Sequence, residues 1–148
     1  MVTLVAPRPR KPSLCSPRRF SMRLRVAVAD DQPRLLEALV TTLARDFEVI
    51  GTAPDGRTLL ERICEKQPDV VVVDLGLPDM NGLEITRRVV QNGNYTRVVI
   101  CSVEKDPELV KAAMHAGASG YVWKNRIASE LNSAVRLAAS GKQFTSVL

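Results

Sequence analysis

VVVVDLGLPDMNG, residues 70–82, is the stretch from which the fold can be read. Val70–Val73 are four consecutive β-branched residues with no polar position to turn toward water, the pattern of a strand buried on both faces. The run ends on Asp74. Leu75–Asn81 then reads as a loop, with Gly76, Leu77, Pro78 and Gly82 as turn chemistry first. A strand buried on both faces needs cover on each side, so the flanking sequence should supply helices.

It does so in both directions. Upstream, Leu24–Ala29 is a short strand that ends in Asp30-Asp31. Pro33 suits the first turn of a helix, and Leu35, Leu36, Leu39, Val40 and Leu43 give that helix an apolar face to about Arg45. Phe47–Ala53 is a second strand. Asp55 can cap a helix carrying Leu59, Leu60 and Ile63, which stops before Pro68. Downstream of the loop, Leu83, Ile85, Val89 and Val90 line a helix broken at Asn92-Gly93. Arg97–Cys101 is a fourth strand closing on Ser102, and Asp106-Pro107 opens a helix that ends near Ala116-Gly117. Gly120–Trp123 is a fifth strand followed by Lys124, and Ile127, Leu131, Val135 and Ala138 line a last helix to about Gly141. Five strands alternating with five helices imply βαβ crossovers. The fold class expected is α/β, a doubly wound five-stranded parallel sheet of flavodoxin-like strand order 2-1-3-4-5.

The chain has 148 residues and a net charge of +5, which would suggest a nucleic-acid partner if the charge lay on the folded part. It does not. Residues 1–22 hold Arg8, Arg10, Lys11, Arg18 and Arg19 and no acid, so the other 16 basic residues balance 16 acidic ones in residues 23–148. A neutral domain has no general attraction for DNA or acidic lipid. Pro7, Pro9, Pro12 and Pro17 stand among the bases of residues 1–22, which read as a disordered arm before a single domain, residues 23–148. Arg18-Arg19-Phe20 is followed by Arg23, Arg25, Asp30 and Asp31 rather than by an apolar stretch, which argues against an export signal. Cys15, Cys64 and Cys101 are too widely spaced to suggest a metal site; Cys64 and Cys101 read as small buried or half-buried hydrophobes. Reduced thiols and the lack of an apolar run of about 20 residues lead us to expect a cytoplasmic protein with no membrane partner.

The chemistry lies in the residues that close the strands. Asp30-Asp31 follow the first, Asp74 the third, Ser102 the fourth and Lys124 the fifth. In open α/β sheets ligands bind beyond the carboxyl ends of the strands, where the order reverses, so three carboxylates should converge there. Clustered carboxylates need protonation or a cation. Hard oxygen ligands with room left for water and phosphate suit Mg²⁺. Lys124 adds a compact positive charge and Ser102 a hydroxyl donor. A carboxylate nucleophile, a divalent ion, a lysine and a hydroxyl are the parts needed to transfer a phosphoryl group to an aspartate.

The motifs VAVADDQP (Val26–Pro33), VVVDLGLPDMNGL (Val71–Leu83) and AGASGYVWK (Ala116–Lys124), in this order, resemble the receiver domain of response regulators in two-component signalling. The resemblance runs from about Met22 to Phe144. Ile127–Thr145 resembles the last receiver helix of the nitrate-response type of regulator, which normally continues into a helix-turn-helix DNA-binding domain that this sequence does not include. The resemblance implies that Asp74 is the phosphoacceptor, served by a sensor histidine kinase. It implies that Asp31 and Asp74 bind Mg²⁺ directly, that Asp30 holds a water on the ion, and that the Gly76 carbonyl is a further ligand. Ser102 and Lys124 would grip the phosphoryl group, and Tyr121 matches the aromatic whose inward swing accompanies activation. Two positions depart from the pattern: Asn125 follows Lys124 where many relatives carry proline or aspartate, and Val103 is bulkier than the small residue often found after the serine or threonine, which would crowd access to Asp74.

The expected function is thus a phosphorylatable switch that regulates an output partner, transcriptional if the chain is part of a longer regulator. It is not an enzyme beyond its own phosphorylation and dephosphorylation. No direct nucleic-acid contact by this domain is expected, and a homodimer is left open. Alone, Asp74 would read as a loop cap and Tyr121 and Trp123 as packing; His115 reads as solvent-facing. The rival reading is a metal-dependent aspartyl-phosphate phosphatase resembling the haloacid dehalogenase group. Those enzymes carry a second aspartate two residues after the nucleophile, and here that position is Gly76. A nucleotide-binding module would need a glycine-rich loop after the first strand, which is missing.

Overall fold

The computed structural model describes residues 23–93 and 95–147; the stretch expected to be a disordered arm, residues 1–22, lies outside them, and Cys15 with it. Strands β1 (Arg25–Ala29), β2 (Glu48–Ala53), β3 (Val70–Asp74), β4 (Arg97–Ser102), β5 (Gly120–Trp123) and β6 (Phe144–Thr145) form one sheet in the order β2-β1-β3-β4-β5-β6. All its pairings are parallel. Helices α1 (Pro33–Ala44), α2 (Gly56–Lys66), α3 (Gly82–Gln91), α4 (Pro107–Ala116) and α5 (Ile127–Ala139) alternate with the strands, and a 3₁₀ turn, Lys124–Arg126, leads into α5.

The valine run divides the core in two. Val71 and Val73 point to the face that α2, α3 and α4 cover, with Leu59, Ile63, Ile85, Val89 and Ala113. Val70 and Val72 point to the other face, with Leu39 and Leu43 of α1 and Leu131 and Val135 of α5. The period-two alternation of a strand sends successive side chains to opposite layers. All four valines are fully buried, each contributing roughly 1.5–3 kcal/mol of apolar transfer relative to exposure.

Local signals fix the helix starts. Asp55 accepts from the Thr58 N–H at 2.7 Å and caps α2, while Asn81 accepts from the Glu84 N–H at 2.9 Å and caps α3. Pro107 opens α4 behind Asp106, whose carboxylate takes the Glu108 N–H. Gly82 packs closely on the loop: a Cβ there would stand 3.1 Å from Leu75 Cα and 3.2 Å from the Asp74 carbonyl, so the backbone would have to give by a few tenths of an ångström.

The doubly wound parallel sheet has its five main strands in the expected order 2-1-3-4-5; one strand is added to it, and two smaller expectations need correction. The sheet has a sixth strand, because the chain after α5 returns along the open edge of β5; the Phe144 N–H donates to the Ser119 carbonyl at 3.0 Å and the Ser146 N–H to the Tyr121 carbonyl at 2.9 Å. Cys64 is exposed, on the outer side of α2, whereas Cys101 is buried as expected. Val90, counted in the apolar face of α3, is 50% exposed near the helix end. Among the described residues no helix is long and apolar enough to cross a membrane.

Candidate functional site

The carboxyl ends of β1, β3, β4 and β5 bring together the residues expected to act. Asp30 follows β1, Asp74 ends β3, Ser102 ends β4, and Lys124 begins the turn after β5. The register sets Ala29 beside Val73, Asp74 beside Cys101, and Ser102 beside Trp123. Asp30, Asp74 and Lys124 therefore meet in one small space, and Ser102 ends the strand that lies between those of Asp74 and Lys124.

Lys124 lies at its centre. Its Nζ is 3.1 Å from Asp74 Oδ1 and 3.3 Å from Asp30 Oδ2. Carboxylate oxygens of Asp30, Asp31 and Asp74 all lie within 4.8 Å of one another, Asp30 and Asp74 buried and Asp31 exposed. The two Asp30 oxygens have different surroundings. Oδ1 takes the Gln32 N–H at 2.8 Å, which also makes Asp30 the turn former before α1. Oδ2 is buried and has no aligned hydrogen-bond donor despite its ion pair with Lys124. Burial raises the Asp30 carboxyl above its ordinary range, outweighing the Gln32 N–H and the Lys124 charge, and the neighbouring Asp74 adds to the rise. Burial also opposes the charge on Lys124, but the hydrogen bond and charge of Asp74, with Asp30, outweigh it and hold the ammonium above its ordinary value.

Three carboxylates and one ammonium leave two negative charges, which a divalent cation would neutralise. An all-oxygen donor set, with one buried oxygen lacking a donor, fits a hard ion such as Mg²⁺. Gly76 lies beside this group in the loop; its N–H reaches Asp74 Oδ1 at 3.3 Å, and it bridges to Asn81 across the turn.

Ser102 and Tyr121 are joined through one residue that the sequence gave no reason to single out. Ser102 Oγ accepts from the Glu104 N–H at 2.9 Å, and the Tyr121 hydroxyl donates to the Glu104 carbonyl at 2.8 Å. Tyr121 is fully buried in this structure, and burial pushes its phenol above the ordinary value. The main chain of the β4–α4 loop thus links the hydroxyl at the end of β4 to the aromatic of β5. Val103 between them is 69% exposed. Trp123 shares the Tyr121 face of the sheet, with the Lys105 ammonium 4.7 Å and the Arg126 guanidinium 4.9 Å from its ring centre. His115 is exposed, as expected. Cys101 lies in the opposite layer, and burial raises its thiol to about 12, so it stays protonated.

Comparison with known proteins agrees with this geometry. The family described as response regulator receiver domain matches residues 26–136. The transcriptional regulatory protein YxjL of Bacillus subtilis is 34% identical over 122 residues, covering 81% of this chain and 56% of that protein. DegU of Brevibacillus brevis, a transcriptional regulatory protein, is 31% identical over 124 residues, covering 82% of this chain and 52% of that protein. The chain therefore spans little more than half the length of these regulators. Among solved structures, the signal receiver domain of the response regulator NarL from Mycobacterium tuberculosis superposes with a TM-score of 0.78 at 34% identity, covering 81% of this chain and 98% of that one. A LuxR-family two-component response regulator from Aurantimonas gives a TM-score of 0.78 at 31% identity, covering 82% of this chain and 89% of that one. By fold, by the residues at its strand ends and by these relationships, the chain belongs to the receiver domains of two-component response regulators.

Proposed function

We propose that the chain accepts a phosphoryl group on Asp74 from a sensor histidine kinase, with Mg²⁺, and uses the modification to change its affinity for an output partner in the cytoplasm. The observation that carries this reading is the setting of Asp74. Its side chain is 9% exposed, Lys124 Nζ is 3.1 Å away, and two further carboxylates share the space.

Asp31 and Asp74 would hold Mg²⁺ directly, with Asp30 acting through a water and Gly76 through its carbonyl. The bound ion would offset negative charge on the transferring group. An Asp74 carboxylate oxygen attacks phosphorus in line, the new O–P bond forming as the N–P bond to the donor histidine breaks. Lys124, already paired with Asp74, follows the charge onto a phosphoryl oxygen. Ser102 Oγ uses a lone pair on the Glu104 N–H, which leaves its O–H to donate to another phosphoryl oxygen. That donation pulls on the Glu104 peptide and so reaches Tyr121. A phosphatase of the aspartyl-phosphate kind would need an acid at position 76 to protonate its leaving group, and Gly76 has none. The homology to transcriptional regulators supports transcriptional output when the domain is joined to a DNA-binding one.

The test is intact mass after incubation with Mg²⁺ and acetyl phosphate. The wild type should gain one hydroxylamine-labile phosphoryl group and Asp74→Asn none, because an amide cannot form the acyl phosphate. Full modification of Asp74→Asn would overturn the assignment.

A further inference from the structure

Asp79 lies in the loop after Asp74, yet its carboxylate is bonded to the start of α2 rather than grouped with the acidic cluster. Oδ1 accepts from the Gly56 N–H at 2.8 Å and Oδ2 from the Arg57 N–H at 2.9 Å. These are the first two amides of α2, a helix of 11 residues. The next, of Thr58, goes to Asp55, so two carboxylates from different segments share the helix start. First-turn amides have no partner within their own helix and carry the positive end of its dipole, which makes such a carboxylate a strong anchor. Burial opposes the charge on Asp79, but the N–H bonds of Gly56 and Arg57, with those of the loop itself, outweigh it and hold the carboxyl below its ordinary range.

The anchor is built as well as bonded. The loop tip packs so closely on the start of α2 that a Cβ on Gly56 would collide with the Met80 side chain. Leu77, two residues before Asp79, is buried in the core beneath. From Gly56 the chain runs back to Ala53, whose carbonyl takes the Asp30 N–H at 3.1 Å. A closed mechanical circuit results: the Asp74 loop, Asp79, the start of α2, the end of β2, and Asp30. Its two ends are the carboxylates that share Lys124.

We infer that Asp79 is a positioning residue, which sets the distance between the Asp74–Gly76 loop and the Asp30-Asp31 pair by tying the loop to the start of α2. It touches neither phosphate nor ion. The inference rests on the phosphoacceptor reading above and deepens it. Residues that orient ligands from behind typically alter metal affinity by 10–100-fold when lost.

Asp55 supplies the control, since its carboxylate caps the same helix through the Thr58 N–H. Mg²⁺ binding by calorimetry, phosphorylation rates with acetyl phosphate across Mg²⁺ concentrations, and thermal unfolding are measured for wild type, Asp79→Ala, Asp79→Asn and Asp55→Ala. Asp79→Ala should bind Mg²⁺ about tenfold more weakly, with phosphorylation restored toward the wild-type rate at saturating Mg²⁺. Asp79→Asn keeps one acceptor for one of the two N–H groups and should fall between, at about threefold, which also secures the test if the alanine variant folds poorly. Asp55→Ala, destabilised to a similar degree, should stay within about twofold of wild type in Mg²⁺ affinity. Equal Mg²⁺ affinities for Asp79→Ala and Asp55→Ala would overturn the inference, whether both are weakened or neither is. A wild type that takes up neither Mg²⁺ nor phosphate would overturn the phosphoacceptor reading itself, so the two failures are distinguishable.

Discussion

Two carboxylates of this domain each face a cation at about 3 Å and behave in opposite ways. Asp30 meets Lys124 at 3.3 Å, and Glu130 of α5 meets Arg126 at 2.9 Å. The Asp30 carboxyl lies above its ordinary range and has a buried oxygen without a donor. Burial opposes Glu130 too, but the Ser146 hydroxyl and the Arg126 guanidinium outweigh it and hold Glu130 below its ordinary range. The difference lies in the donors. Around Glu130 the residues after the last strand supply partners: Ser146 Oγ donates to Glu130 and accepts from the Trp123 N–H at 3.1 Å, and Arg126 also reaches the Val147 carbonyl at 2.7 Å. Around Asp30 and Asp74 negative charge is left in excess. The Glu130 carboxylate has its donors at the β5–β6 edge, where they add to stability; the strand-end pocket is left short of positive charge, which suits it to a cation.

Substitutions in the pocket should give the largest effects and move ligand binding rather than fold. Asp31→Ala should weaken Mg²⁺ affinity on the order of 100-fold, and Asp30→Ala by about tenfold, since Asp31 is assigned the direct contact. Without Mg²⁺, Asp30→Ala relieves repulsion with Asp74, so its thermal stability should equal or exceed that of the wild type. Calorimetric titration and melting curves check both points. Unchanged Mg²⁺ affinity in both variants would remove the contrast between pocket and edge.

That contrast was only half readable in the sequence. The pocket announced itself because its residues each close a strand, and a strand's end is fixed by its apolar run: Val70–Val73 places Asp74, and Arg97–Cys101 places Ser102. Once the doubly wound order is inferred, convergence follows from topology alone. The β5–β6 edge gave no such signal. Phe144-Thr145 is too short to show alternation, and its pairing depends on the open edge of β5 rather than on its own pattern. Asp79 was missed for a related reason: its partners Gly56 and Arg57 lie 23 and 22 residues upstream, and a single acid beside a proline reads only as turn chemistry. Val90 and Cys64 were counted inward with their apolar neighbours, but each follows a buried residue, Val89 and Ile63, and so lies about 100° round the helix from it.

A substitution at the edge should have the opposite signature. Ser146→Ala removes the donor to Glu130 and the acceptor of the Trp123 N–H together. Leaving such groups unpaired costs about 1–2 kcal/mol, which denaturant unfolding would register. Mg²⁺ affinity and the extent of Asp74 phosphorylation should not change. A loss of Mg²⁺ binding in Ser146→Ala with little loss of stability would mean that the edge and the pocket form one unit.

The smallest effect expected is a pH dependence that belongs to Glu130. Its folded value lies below the ordinary 4.5. A depressed carboxylate contributes stability that is fully present above its unfolded value and is lost as the pH falls through the folded one. Glu130→Gln carries no such charge, so above pH 4.5 the wild type should be the more stable of the two. The margin should be below about 1 kcal/mol, because this partly exposed ion pair is screened by solvent. As the pH falls below 4.5 the wild type protonates Glu130 and the margin should close. Asp30, Asp79 and the other carboxylates titrate in both proteins, so the difference between the two unfolding curves isolates this one group. A margin that stays constant between pH 6 and the acid limit of folding would show that neither Ser146 nor Arg126 favours the charged form, and the edge would lose its claim to differ electrostatically from the pocket.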